Sequence, residues 1–566
     1  MKKRFDCVFL AFFILMLLPA HTLAVPGKSQ VIKKRVFNRV TTASKTTTST
    51  QKTTPPTTTT ATTSTSSTVA TTTAPTPTTT TTATAIATTT TPVTTTTSTT
   101  SQTTTSGEHI YISQSGSATG SASSCSSAKP VTWLNTATNW GDGSGKVSPG
   151  DTVHLCGVIN QTVYVLGNGA PGSPVTVRFE PGARLSSPAW DASRGGLYAK
   201  GRQYVVIDGA GVGIIENTAN GTGLTYRVSS TGLILYDCQN CEVKQLSVLN
   251  IYRRTPVSSD SEGSGLGIVL VGNSSNSSVH DCTVSNVWKG INVTYLTTRS
   301  SNVSIYNNTV SKAAVGITIG SGGTSAVADG INVYNNKIFD NYVWDGQLTD
   351  GGWYHADGVH AFAVHTGAAI SGLNIYNNEI GSNLGTHVTS WIYVEGAGIS
   401  NVNVYNNLLT SAGGSYPASG YIGLKKPFGV NVYSNTVAAG SGKGIGVSLW
   451  AGAASVDIRN NIFYRVSSGV GASDISTLKM CDKNNYYGLG NNQMYYQTRF
   501  YTLSDWQSTL GFDRNSITAD PLLSSDFRPA STSPVRGKGD NLGSPFNIDK
   551  AGVVRPYTGW TLGAYQ

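Results

Sequence analysis

Long apolar runs are scarce in this chain of 566 residues. The one at the start, Val8 to Leu18, is shorter than the roughly 20 residues that span a bilayer, and no later segment is long and apolar enough. No membrane span is therefore expected. The folded part also lacks excess charge. The whole chain carries +10, but residues 1–106 hold 10 of the 39 Lys and Arg and one of the 29 acids. That leaves 29 basic and 28 acidic residues in 107–566. A balance of +1 is not the footprint of a nucleic-acid-binding domain, so no nucleic-acid partner is expected. A zinc-type cysteine pattern is missing too: Cys238-x-x-Cys241 has no second CxxC and few His nearby, which argues against a metal or redox pair.

What is present divides the chain. Met1 to Ala24 reads as a secretory signal, with Lys2, Lys3 and Arg4 before the apolar run and Thr22-Leu23-Ala24 at the cleavage site. Residues 25–40 form a basic segment around Lys33-Lys34-Arg35, either a processing site or a solvated charge run. Residues 41–106 are almost all Thr, with Ser, Ala and Pro. Such a tract buries no core and reads as a mucin-like, O-glycosylated linker. The remaining domain, 107–566, is expected to be secreted and extracellular. Six cysteines follow the signal: Cys125, Cys156, Cys238, Cys241, Cys282 and Cys481. An even number in an exported chain predicts disulfides, with Cys125–Cys156 as a staple near the start of the domain. Sequons at Asn160, Asn220, Asn273, Asn276, Asn292, Asn302 and Asn307 fit a secreted glycoprotein.

The domain repeats a phrase: Ile305-Tyr306-Asn307-Asn308, Val333-Tyr334-Asn335-Asn336, Ile375-Tyr376-Asn377-Asn378 and Val404-Tyr405-Asn406-Asn407. Looser copies follow at Val432-Tyr433-Ser434-Asn435 and Ile458-Arg459-Asn460-Asn461. The steps between their last residues are 28, 42, 29, 28 and 26. A period of this size means a solenoid, and its alternating Val, Ile, Gly and Asn are strand chemistry. The aliphatics are expected to stack as a core and the Asn as a turn ladder, so the Asn are structural. The step of 42 marks a coil opened to take an insertion.

With these coils, the opening Pro149-Gly150-Asp151-Thr152-Val153-His154-Leu155 with Gly172-Ser173-Pro174-Val175-Thr176-Val177, and the close from Asp526-Phe527-Arg528-Pro529 to Leu562-Gly563-Ala564-Tyr565, the domain resembles the pectin-lyase-like superfamily. The resemblance implies an all-β, right-handed parallel β-helix with coils of about 26–29 residues. It further implies an extracellular protein acting on polysaccharide, although adhesins and tail spikes share the fold. The Asp cluster of calcium-dependent pectate lyases and the paired Asp of polygalacturonases are both missing, so no catalytic set carries over.

Candidate chemistry comes from the strand before each Tyr-Asn-Asn phrase. Aligning Gly358-Val359, Trp391-Ile392, Tyr421-Ile422 and Gly444-Ile445 sends alternate residues outward. His360, Tyr393, Gly423 and Gly446 then form one outward column; Phe362, Glu395, Lys425 and Ser448 form the next. The two Gly are expected to leave open space. Trp391, Tyr421, Trp450, Phe362, Trp353 and His355 are expected to contact substrate, as flat apolar faces beside a cleft. The insertion, about 342–367, adds Trp344, Asp345, Asp350, Trp353, Tyr354, His355, Asp357, His360 and His365 to the same edge. Alternation would not bring His355, Asp357, His360 and His365 to one point, so no metal ligand set is assigned. Ca²⁺ stays a candidate because Asp345, Asp350, Asp357 and Glu395 offer hard oxygens.

The catalytic candidates are His360, Tyr393, Glu395, Lys425 and Asp357. Elimination from a uronate needs a base, an acid and a cation, filled by His360 or Tyr393 and by Lys425 or Lys426. A glycosidase needs two carboxyl groups about 5–9.5 Å apart. On an extended strand Asp357 and Glu395 would be roughly 16 Å apart, so a hydrolase would need Asp345 or Asp350 beside Glu395. The expected partner is an extracellular uronate-containing polysaccharide met by a monomer. A glycoside hydrolase, an epimerase, a non-catalytic adhesion module and a structural coat are the alternatives.

Overall fold

The computed structural model describes residues 107–566, except 118, 255–264, 296–298, 322, 345–353, 413, 441 and 490–492. The signal, the basic segment, the linker, Asp345, Asp350 and Trp353 lie outside the described residues.

The Tyr-Asn-Asn phrases pair in the register that the repeat predicts: Tyr306 with Tyr334, then Tyr376, Tyr405 and Tyr433. The preceding Ile305, Val333, Ile375, Val404 and Val432 are all fully buried. The first Asn of each phrase, such as Asn335 at φ 55°, takes the left-handed conformation that Asn tolerates better than most residues. The second turns inward. Asn336 Nδ2 donates to Ile305 O at 2.9 Å and to Asn378 Oδ1 at 3.0 Å, and the pattern runs from Asn308 through Asn378, Asn407, Asn435 and Asn461. Every coil thus satisfies the buried amide of its neighbour. The tyrosine rings stack outside at 4.8–4.9 Å, the strand spacing itself.

These pairings build two long sheets of sixteen and twenty-three strands among the described residues, parallel except where Met494–Tyr496 meets Arg499–Tyr501. Each coil returns beside the one before, a parallel crossover that proteins make right-handed. The chain is a right-handed parallel β-helix. Cys125–Cys156 is a disulfide at its start, while Cys238, Cys241, Cys282 and Cys481 are buried free thiols, so the even count overstated the bridges. At the other end a tail folds back: Phe546 meets Tyr405 and Tyr433 edge-on at 5.0 Å, and Arg555 binds Asn406 Oδ1 and the carbonyls of Thr561 and Gly563. Of the sequons, Asn220 is fully buried and Asn292 nearly so. No helix among the described residues is long and apolar enough to cross a membrane.

Four strands matter for function: β1 (Asp357–Phe362), β2 (Ser390–Glu395), β3 (Gly420–Lys425) and β4 (Ile445–Trp450). A bend precedes their regular part. A Cβ on Gly358 would lie 2.4 Å from Trp391 O and 2.7 Å from Ile380 Cγ2, so this position faces the core, and so does the next residue, Val359, which is fully buried. Two successive inward residues break the alternation that a flat strand would keep. Asp357 before the bend and His360 after it consequently point the same way.

Candidate functional site

Across β1 to β3 the expected register holds, with His360 paired to Tyr393 and then Gly423, and Phe362 to Glu395 and then Lys425, but the first column is covered rather than open, His360 being 8 % and Tyr393 3 % exposed. The ring centroids of His360 and Tyr393 are 5.1 Å apart, and Lys425 Nζ donates to Glu395 Oε1 at 2.6 Å. At β4 the alignment is two residues off. Gly423 pairs with Ser448 and Lys425 with Trp450, so Ser448 takes the first column, Trp450 takes the second, and Gly446 falls opposite Tyr421, outside both columns. Gly444-Ile445 and Gly446-Val447 are equivalent to the eye, but it is Gly446 that takes the inward place before the buried Val447, so it faces the core. The space expected at the glycines is also filled: a Cβ on Gly423 would meet Ser390 Oγ at 2.5 Å and Tyr393 Cδ2 at 3.1 Å, and one on Gly446 would strike Phe463.

Trp391 and Tyr421 are not substrate platforms. They occupy the inward place of Gly358 in the next two coils and are fully buried. The indole N–H donates to Thr410 O at 2.7 Å and the phenol to Ser411 Oγ at 3.0 Å. The bend, absent from a flat-strand reading, puts them there. Trp344 and Tyr354, the described ends of the insertion, are also packed down, with rings 5.1 Å apart in a cluster with Trp288 and Ala314. Phe362 and Trp450 remain partly exposed.

The bend gathers what alternation was expected to separate. Asp357 Oδ2 lies 3.4 Å from His355 Nδ1 and 3.6 Å from His360 Nδ1, and one ligating atom from each of the three lies within 4.8 Å of the others. His365 is not in this group. His360 Nε2 faces Glu395 Oε2 at 3.8 Å. Asp357 and Glu395 thus flank one imidazole, far nearer than the extended-strand separation. Asp357 is 0 % exposed; its Oδ1 accepts from Ser390 N at 3.1 Å. Asp357 Oδ2 and His360 Nε2 are buried without a hydrogen-bond partner among the described residues.

The titrations diverge. Burial raises Asp357 well above the usual carboxylate range, as expected where an anion loses its solvent. Burial lowers His360. Desolvation first, then His360 and the cations Lys289 and Lys425, push His355 down to about 3, an effect moderated by its 43 % open side chain. Glu395 goes the other way, to about 2, held by the neighbouring His360 ring and by Lys425 against its own burial. Burial and the Glu395 charge raise the Tyr393 phenol. The Asp357 carboxyl and the two imidazoles are thus each biased toward their uncharged forms, and the Glu395 carboxyl toward its carboxylate.

A second titratable group on the other sheet was missed. His109 Nδ1 lies 2.8 Å from His154 Nε2, and His154 Nδ1 lies 2.6 Å from Glu180. Its imidazoles and carboxylate partner one another, as in a structural network.

No family model matches the chain, and no curated protein matches it. Among solved structures, it is similar to pectate lyase Pel9A at 11 % identity, covering 82 % of this chain and 97 % of that one with a TM-score of 0.40. It is similar to a GH136 lacto-N-biosidase from Eubacterium ramulus at 12 % identity, covering 73 % and 67 %, with a TM-score of 0.40. A mannuronic acid specific polysaccharide family 6 lyase from human gut microbiota is 12 % identical over 67 % and 86 %, with a TM-score of 0.35. At these levels the likenesses carry neither an activity nor a residue role to this chain.

Proposed function

We propose that the chain is a secreted carbohydrate-active enzyme that cleaves a uronate-containing extracellular polysaccharide by β-elimination. The observation that carries this reading is the outward row Phe362, Glu395, Lys425, Trp450, one residue per coil. A polysaccharide laid along the helix axis meets an aromatic ring, an ion pair and a second aromatic ring in turn. Aromatic faces suit the apolar faces of sugar rings, and the Lys425 ammonium, 5.5 Å from the Trp450 ring centroid, suits a carboxylate. To reach it, the uronate takes the place of Glu395 on Lys425. Beside this row, the His355–Asp357–His360 cluster accepts the C5 proton, with His355 its most open member, and the Tyr393 phenol returns a proton to the leaving oxygen.

Hydrolysis is the second reading, favoured by one observation. Asp357 and Glu395 flank a single imidazole with their titrations pushed apart, the split that assigns acid and base in glycosidases. Against it, Asp357 has no exposed surface from which to reach a glycosidic oxygen.

Full-length protein incubated with pectic, alginate and glucuronan-type chains tests both. Ultraviolet absorbance of an unsaturated uronate is the expected outcome. New reducing ends without that absorbance would replace elimination by hydrolysis. Binding without either product would leave a glycan-binding module.

A further inference from the structure

We propose that His355 Nδ1, Asp357 Oδ2 and His360 Nδ1 form a three-ligand site for a divalent transition-metal ion of the zinc class, with the remaining position open. The inference deepens the reading above by filling its proton-accepting cluster, but the binding it asserts does not depend on any turnover.

The spacing carries the first part. Tetrahedral zinc with bonds of about 2.0–2.1 Å has ligand-to-ligand edges near 3.3–3.4 Å. The carboxylate oxygen stands 3.4 and 3.6 Å from the two imidazole nitrogens. The three ligand atoms all lie within 4.8 Å of one another, so closing around an ion is mainly a matter of drawing the two imidazoles together.

The unpartnered atom carries the second part. Asp357 is wholly buried, and its Oδ2, aimed between the two imidazoles, has no hydrogen-bond partner among the described residues. A buried carboxyl oxygen without a partner is costly, and a bound cation is the group that satisfies it. Asp357 Oδ1 is meanwhile fixed by Ser390 N, so the carboxylate is already aimed.

The outer contacts carry the third. Metal-bound imidazoles usually give their other N–H to a carboxylate. With Nδ1 on the metal, His360 turns Nε2–H toward Glu395 Oε2, 3.8 Å away, and Glu395 is anchored by Lys425. Two imidazoles and one carboxylate suit zinc, iron, cobalt or manganese. They do not suit Ca²⁺, which takes six to eight oxygens. His355, Asp357 and His360 would then hold the ion instead of accepting the proton themselves, and the ion would supply a hydroxide near neutral pH as the base.

The test is calorimetric titration of full-length, chelator-stripped protein with Zn²⁺, then Co²⁺ and Ca²⁺, with the visible spectrum of the Co²⁺ form as a second readout. One Zn²⁺ per chain is expected, with a tetrahedral or five-coordinate Co²⁺ spectrum and no comparable Ca²⁺ binding. His355→Ala, at an exposed ring whose loss leaves the core intact, should abolish the Co²⁺ spectrum. Glu395→Gln should weaken Zn²⁺ about 10–100-fold. Wild-type binding that survives His355→Ala and Asp357→Asn unchanged, no zinc binding at all, or preference for Ca²⁺ would overturn the site. Metal binding without any sugar product would leave the site standing and remove only the lyase reading. Product formed equally by stripped protein that binds no zinc would do the reverse.

Discussion

The two outer faces of the same helix obey opposite rules. On the Tyr-Asn-Asn side the side chains repeat coil after coil. The Asn308-to-Asn461 amides are hydrogen-bonded to backbone and to one another, and the stacked tyrosines are shifted mainly by burial. On the β1–β4 side each coil differs from the last. Asp357, His360 and Ser390 keep buried polar atoms without partners among the described residues, and neighbouring carboxyls titrate in opposite directions. The first face spends its inward amides on stability, although Asn377 Oδ1 and Ser434 Oγ at its turns are also buried without partners among the described residues. The second leaves a carboxyl oxygen and an imidazole nitrogen unsatisfied, which costs stability and leaves them for chemistry.

The largest effect expected is on turnover. Tyr393→Phe removes only a hydroxyl and should lower kcat/KM for an acidic polysaccharide by about 10²–10⁴-fold, the usual contribution of a positioned acid or base, with the thermal midpoint little changed. Activity within threefold of wild type would remove Tyr393 from the reaction. On the opposite face the effect should fall on stability instead. Asn378→Ala deletes bonds to Val333 O and Asn407 Oδ1 and takes the acceptor from the backbone N–H of Asn336 and from one of its two side-chain bonds. Unfolding in urea should show a loss of about 2–4 kcal/mol, since each stranded buried donor costs about 1–3 kcal/mol. A loss under 1 kcal/mol would mean that the ladder is ornamental. Asp357→Asn, by contrast, keeps Oδ1 for Ser390 and removes no other hydrogen bond. In metal-free protein it should change stability by less than about 1 kcal/mol, the near-neutral exchange expected where no partner is lost. A larger loss would show that Asp357 is as structural as Asn378.

The same contrast explains what was legible. Period and parity could be read because the ladder face is self-consistent: Tyr334 and Asn336 meet their copies one coil on, and a slip by one residue would have turned buried Val333 outward. The pairs His360–Tyr393 and Glu395–Lys425 followed from that register. The bend did not. It lies where the column of glycines Gly290, Gly316 and Gly358 gives way to Trp391 and Tyr421, and parity alone assigns those rings to the wrong side. Gly358 was the available signal: a residue whose Cβ has no room before a buried Val marks a corner. A corner brings residues three apart onto one side, which is how Asp357 reaches His360. Nothing local distinguishes Gly444 from Gly446, so the shift at β4 needed the pairing itself.

The smallest effect expected tests whether the ladder face has an exception. Lys550, on the returning tail, donates from Nζ to Asn377 O, and burial lowers it to about 8 from an ordinary 10.5 although Glu379 pulls the other way. A base whose folded value lies below its unfolded value binds fewer protons folded than unfolded between the two. Stability therefore rises as pH climbs from about 8 to 10.5, and the full cost of burying the ammonium is present below about 8. Urea midpoints compared at neutral pH and across this window should rise for the wild type relative to Lys550→Met, and the variant should be the more stable at neutral pH. If the two proteins track each other at every pH, Lys550 keeps enough water to titrate normally. The tail would then cover the ladder at Phe546 and Arg555 without drying the ammonium beside them.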